Sequence, residues 1–194
     1  MPKLLGSTQP ATSEIGVMTE GLGHPLWPVE DTLSRTVETQ EVLKTSSFDV
    51  QDPAGLGVAL QVQFGAAETN QFFDVSSAGA ITCLVAGEYS LNAKFSVART
   101  GGSQGESQLY VRGLLNGSQV GDSVHTIIDS TRIEINMYLE AIRFLDVGDV
   151  ITCEIIRDSD GNNSGGLDPG VPDVPNWNPA PSASMRITRL FLNE

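Results

Sequence analysis

From Gly87 to Val97 the chain reads Gly-Glu-Tyr-Ser-Leu-Asn-Ala-Lys-Phe-Ser-Val, apolar and polar residues in alternation. A strand sends successive side chains to opposite faces. Tyr89, Leu91, Ala93, Phe95 and Val97 are therefore expected in a core, and Glu88, Ser90, Asn92, Lys94 and Ser96 in water. The two-residue period returns over Thr131–Phe144, where Ile133, Ile135, Met137, Leu139 and Ala141 oppose Arg132, Glu134, Asn136, Tyr138 and Glu140. A helix is the competing reading for Met-Tyr-Leu-Glu-Ala-Ile-Arg, but the period and the β-branched start favour a strand. Helical periodicity is nearly absent elsewhere, so the expected class is all-β and antiparallel.

Strands and turns then follow at the spacing of a sandwich. Thr32–Val50 alternates only weakly and is read as an edge strand, with Val42, Leu43 and Phe48 as its better-buried points. Asp52-Pro-Ala-Gly55 closes it. Further strands are expected at Val58–Phe64 (Val62 and Phe64 inward), Gln71–Val75, Ala80–Val85, Gln108–Leu115, Ser118–Ser123, Val150–Arg157 and Met185–Leu192. Asn116-Gly117 is the strongest hairpin signal, because a type I′ turn needs positive φ at both central positions. Ser76–Gly79 and Asp146–Asp149 are turns, Arg99–Glu106 is a Gly-rich loop, and a long Asp/Gly/Pro/Asn loop spans 158–184.

The first 31 residues differ. They carry Pro2, Pro10, Pro25 and Pro28 together with apolar residues that follow no period, among them Leu4, Leu5, Leu22, Leu26 and Trp27. Prolines at this density forbid a long helix or a central strand, while the apolar content is too high for an idle linker. An extended arm on a partner surface fits both facts, as does an arm folded over its own sandwich. The domain reading is an arm at 1–31 and one sandwich at 32–194.

Eleven basic residues against 24 acidic ones give a net charge of −13. Phosphate neutralisation needs clustered Lys and Arg, so nucleic acid is not an expected partner. No apolar run approaches the roughly 20 residues of a membrane helix, and the N-terminus lacks the apolar stretch of a secretory leader. Neither a membrane partner nor export is expected, and assembly is expected in a cytoplasm. Cys83 and Cys153 sit in strand-like runs and are expected as buried thiols, a bridge being open if the strands are neighbours.

No chemistry-bearing constellation stands out, so no enzyme, cofactor or metal is expected. Asp158, Asp160, Asn162 and Asp168 offer oxygens to a hard cation, but position six of an EF-hand spacing is Asn163 and position twelve Pro169, so a polar turn is the better reading. Ser123, His125 and Asp129 supply triad residue types without a nucleophile elbow. Asp146 and Asp149 read as the ends of a turn before they read as an acid/base pair. Trp177, in Pro175-Asn-Trp-Asn-Pro179, is expected to pin the long loop to the sandwich; the alternative is contact with a protein or sugar partner.

Taken together, Asn70…Phe73-Asp74…Gly79-Ala-Ile, Gly87-Glu-Tyr-Ser-Leu-Asn-Ala, Leu115-Asn-Gly, Leu145-Asp-Val-Gly-Asp-Val-Ile and Met185-Arg-Ile-Thr-Arg-Leu-Phe-Leu resemble a known pattern. Residues 45–194 are similar in order and spacing to the tumour-necrosis-factor-like jelly roll, particularly the globular heads of the first complement component's q subunit. The chain departs from it at Ala80-Ile81, where an aromatic follows the turn glycine, and at Arg189-Leu190, where Gly-Phe is usual. The resemblance implies a two-sheet antiparallel jelly roll and a closed homo-oligomer, a trimer first. With the arm, it further resembles tailed-bacteriophage decoration (cement) proteins and fibre knobs. The expected function is thus a structural virion protein that cements a capsid by laying Leu4, Leu5, Leu22, Leu26 and Trp27 on the major capsid protein. The alternative is a head- or tail-fibre knob that binds a host receptor or glycan through 99–106 and 158–184.

Overall fold

A computed structural model describes residues 37–66, 70–100, 105–129 and 134–192. One compact unit is Thr39–Leu190. Its strands are β1 (Val37–Ser47), β2 (Leu60–Gln61), β3 (Phe73–Val75), β4 (Ile81–Cys83), β5 (Gly87–Ala98), β6 (Ser107–Leu115), β7 (Ser118–Ile128), β8 (Glu134–Leu145), β9 (Val150–Arg157), β10 (Gly166–Leu167) and β11 (Ala183–Leu192). The described residues contain no helix, and Thr131–Phe144 is a strand from Glu134 onward, as its period demands.

Two antiparallel sheets form. In the first, β1, β11 and β5 follow in order; β8 takes the whole far edge of β5, and β10 continues the β11 side. The second runs β3-β4-β9-β6-β7, with β2 also on β9. The pairs are nested: β1 with β11, β4 with β9, β5 with β8, and β6 with β7 innermost. Successive pairs alternate between sheets, which is a doubled ribbon wrapped into a jelly roll. Asn116 and Gly117, at φ of 52° and 78°, turn the innermost hairpin.

The inward phase of β5 is buried at Tyr89, Ala93, Phe95 and Val97, against Val62, Phe64, Ile81, Ile155 and Ile187. Phe64 and Phe95 meet at 6.2 Å, and Phe73 packs edge-on to Tyr89 at 5.0 Å. The Tyr89 hydroxyl donates to the Val85 carbonyl at 2.6 Å, so its polar end is satisfied.

Several sequence expectations need correction. Phe48 is 50% exposed, because β1 ends at Ser47 and the chain turns away; Val42 and Leu43 are buried. Ser96, expected in water, is buried: its hydroxyl donates to Glu134 Oε1 at 3.1 Å and its amide to the Ser182 carbonyl at 2.8 Å. The strand after the hairpin runs on from Ser123 to Ile128, because Gly121-Asp122-Ser123 is a bulge and not an end. Gln71–Val75 and Ala80–Val85 shorten to three residues each. The 158–184 segment is partly structured: β10 lies within it, and Gly170 and Ala180 exchange backbone hydrogen bonds at 3.1 and 2.8 Å. Both cysteines are buried and unbridged; Cys83 pairs its amide with Asp149, well along β9 from Cys153.

Candidate functional site: the outward face of β8

Among the described residues, β8 has β5 on one edge and no ladder partner on the other. Ile135, Met137, Leu139, Ala141 and Leu145 take the inward phase, and Met137 and Leu145 are fully inside. The outward phase then ought to be polar, yet it presents Tyr138 (56% exposed), Ile142 (56%) and Phe144 (64%). These three stand opposite Lys94, Ser90 and Glu88 of β5, whose register with β11 adds Ser184, Thr188 and Leu190 to the same face. Arg186 on this face pairs with Glu41 of β1. The result is an apolar stripe along a long edge strand, with charges of both signs beside it.

Edge strands in water are normally kept short or broken by Pro, Lys or a bulge. β8 has 12 residues, none of them Pro, Lys or Gly, and pairs with β5 without a register shift. One end of the body continues this apolar character, because the backbone pairing of Gly148 with Cys83 sets exposed Val147 next to exposed Leu84.

The outward face of the other sheet is built differently. Arg112 of β6 donates from Nε (2.8 Å) and Nη2 (2.6 Å) to Glu154 Oε2 of β9, and Tyr110 stacks on His125 of β7 at 4.7 Å. His125 is therefore a surface ring in a sheet, with Ser123 in the bulge beside it, and its partner is the tyrosine and not a nucleophile.

The carboxylate candidates resolve into turns. Asp158 Oδ1 accepts from the Asp160 amide at 3.2 Å and the Ser159 hydroxyl at 3.3 Å, a local Asx turn. Asn162 folds under Gly105 and bonds the Glu106 carbonyl, while the Asp168 amide goes to Ser96, so the four oxygen donors are dispersed. No group of three His, Cys, Asp or Glu among the described residues is placed to hold a metal ion. Asp149 accepts from the Asp146 amide at 2.8 Å and from Asn116 Nδ2 at 2.7 Å; the Asn116 side chain first, then the Asp146 amide, hold its carboxyl below the ordinary range. The pair Asp146/Asp149 closes the β8–β9 turn.

Trp177 does not pin its loop. It is 73% exposed, in the loop closed by the Gly170 and Ala180 hydrogen bonds, with Val171 and Val174 also exposed. Leu4, Leu5, Leu22, Leu26 and Trp27 lie outside the described residues.

Sequence reasoning missed Arg157. Its side chain is buried (6% exposed), where Nε donates to the Gly165 carbonyl (2.5 Å) and Nη1 to the Pro53 carbonyl (2.7 Å) and Asn163 Oδ1 (3.0 Å), and Nη2 meets Asp52 Oδ1 at 3.3 Å. It ties the 52–53 turn to the start of the 158–184 segment. Nothing local in Ile-Ile-Arg-Asp announces this, because half of its partners lie about a hundred positions away.

No family model and no curated protein sequence matches this chain. Among solved structures it is similar to the globular domain of zebrafish complement 1qA protein, at 13% identity and a TM-score of 0.45 over 79% of this chain and 100% of that one. It is similar to murine APRIL (14%, TM-score 0.47, 77% and 98%) and to Eiger TNF from S. frugiperda (8%, TM-score 0.48, 80% and 95%).

Proposed function

We propose that this chain is a structural virion protein, assembled in a host cytoplasm as a homotrimer and bound to the capsid as a decoration, or cement, protein. The observation that carries the assembly half is the stripe Tyr138, Ile142 and Phe144 on an edge strand that has no second partner among the described residues. Covering a large apolar side chain is worth about 1.5–3 kcal/mol, so three per copy supply several kcal/mol at each contact. A second copy is the occupant argued for. The face carries Lys94 and Arg186 alongside Glu88 and Glu140, and a rotated copy of a mixed-charge face can match it sign for sign. Closed rings of such copies leave no bare edge.

The capsid half rests on residues 1–31, whose proline density and apolar anchors Leu4, Leu5, Leu22, Leu26 and Trp27 suit an extended strap. Three straps on one trimer raise the effective concentration of each for its groove on the major capsid protein. Mixing the chain lacking residues 1–31 with assembled shells and pelleting them tests this. Loss of co-pelleting with the trimer intact is the expected result, and undiminished binding contradicts it.

A second reading is favoured by Trp177, exposed with Val171 and Val174 in one loop: a fibre knob that engages a receptor or glycan. Sugar-selective retention on a glycan array, lost in Trp177→Ala, would replace the cement reading with this one.

A further inference from the structure

Between the two sheets, where the edge strands β7 and β8 meet, an apolar cavity of about 210 Å³ opens to the outside. Its walls are Ala93, Ala141 and Gly113, and it reaches inward to Cys153 and Met185. Two independent features keep it open. On β7, Gly121, Asp122 and Ser123 stand opposite the single Arg112 of β6, and Gly121 sits at φ 72°, so the edge bulges where the cavity emerges.

The second feature is Gly113. Glycine inside a strand costs roughly 0.5–1 kcal/mol and normally marks a positive φ or a close approach of backbone. Gly113 has neither: its φ is not in the left-handed range, and a Cβ there would meet only Leu139 Cδ1, at 4.0 Å. The one thing its missing side chain provides is room. An unfilled apolar cavity is itself destabilising, so Gly113 incurs two costs that a valine would remove.

Asp122, Glu140 and Arg143 stand at the mouth. Arg143 sits on the inward phase of β8, and its recorded hydrogen bond is to the carbonyl of Ile142, at 2.9 Å. Asp122 and Glu140 against Arg143 leave the rim one negative charge in excess, with carboxylate oxygens as acceptors.

We infer that this cavity is a binding site for a free small molecule: one or two apolar rings carrying a neutral hydrogen-bond donor, of the indole, phenol or arylamine class. A cavity of about 150 Å³ accommodates benzene, so this one has room for a bicycle. The inner walls at Ala93, Gly113, Ala141 and Met185 offer water no polar side chain, and the rim acceptors receive the donor and repel a carboxylate.

The mouth lies on the β8 edge that the proposed assembly uses, so the test takes the full chain with indole as the probe and reads its mass by sedimentation in the same samples, which keeps the two outcomes apart. The chain has four methionines. With methyl-labelled methionine, indole should shift the Met185 signal saturably and leave Met137, which does not line the cavity, in place. Gly113→Val should fold, unfold at a higher temperature than the wild type, and weaken indole at least about tenfold. Ala141→Leu fills the void from the opposite sheet should the first variant not fold. Indole-3-carboxylate should bind about tenfold more weakly than indole. Three results each overturn the assignment: no saturable Met185 shift, filled variants that bind indole as the wild type does, or a carboxylate that binds as tightly as indole.

Discussion

The two outward faces of this sandwich come from the same strand grammar and end up with opposite surfaces. On the β9–β6–β7 face the outward positions are occupied by Arg112, Glu154, Tyr110 and His125, which pair with one another across neighbouring strands. On the β8 face the equivalent positions hold Tyr138, Ile142 and Phe144 with no such pairing. Cross-strand ion pairs and ring stacks finish a surface that stays wet, whereas a bare apolar row along a long edge is unfinished until something covers it. On the proposed assembly, the working surface of the molecule is the β8 face and the other sheet is its support.

The contrast breaks most readily at β8. Ile142→Asp with Phe144→Asp puts two charges into the covered row. The account expects the double variant to fold normally but to run as single chains at concentrations where the wild type is assembled, a weakening of about a thousandfold or more on sedimentation.

Next in size is Arg157→Ala. Removing a buried guanidinium strands the Gly165 and Pro53 carbonyls and should cost about 3 kcal/mol in denaturant unfolding, with the assembly unchanged once folded. Arg112→Ala removes the ion pair of the wet face, whose side chains are 44% and 23% exposed, and should cost no more than about 1 kcal/mol with no effect on assembly. A large effect of this variant on mass would mean that the two faces had been assigned the wrong way round.

The smallest effect lies at the turn linking β8 to β9. Asp149 has its folded pKa below its ordinary 3.8, so its contribution to stability is complete above that value and is lost as pH falls through the lower, folded one. Asp149→Asn should therefore flatten the acid limb of the stability curve below about pH 4 and leave neutral-pH assembly as it was.

Much of the architecture was written in local pattern. The β5 ladder, the Asn116-Gly117 hairpin, the Asp146–Asp149 turn and the bounds of β9 follow from periodicity and turn chemistry alone. Elsewhere the sequence pattern carried a signal that alternation discards. At Ala141-Ile-Arg-Phe-Leu145 the residues are apolar but for Arg143, so Ile142 and Phe144 carry the outward row past the polar Glu140. Gly121-Asp-Ser123 has turn composition, so a bulge looked like the end of a strand. Trp177 reads as an anchor because a tryptophan is expensive to expose, and only the folded loop shows it exposed. Arg157 and the β7–β8 cavity were beyond reach, since each depends on residues far apart in the chain that only the nested ribbon brings together.

The weight falls on sedimentation equilibrium of the intact wild-type chain across a wide concentration range. A mass of three chains that declines toward one on dilution is what the β8 interface requires. A single-chain mass at every concentration would show that the exposed row of Tyr138, Ile142 and Phe144 meets no second copy.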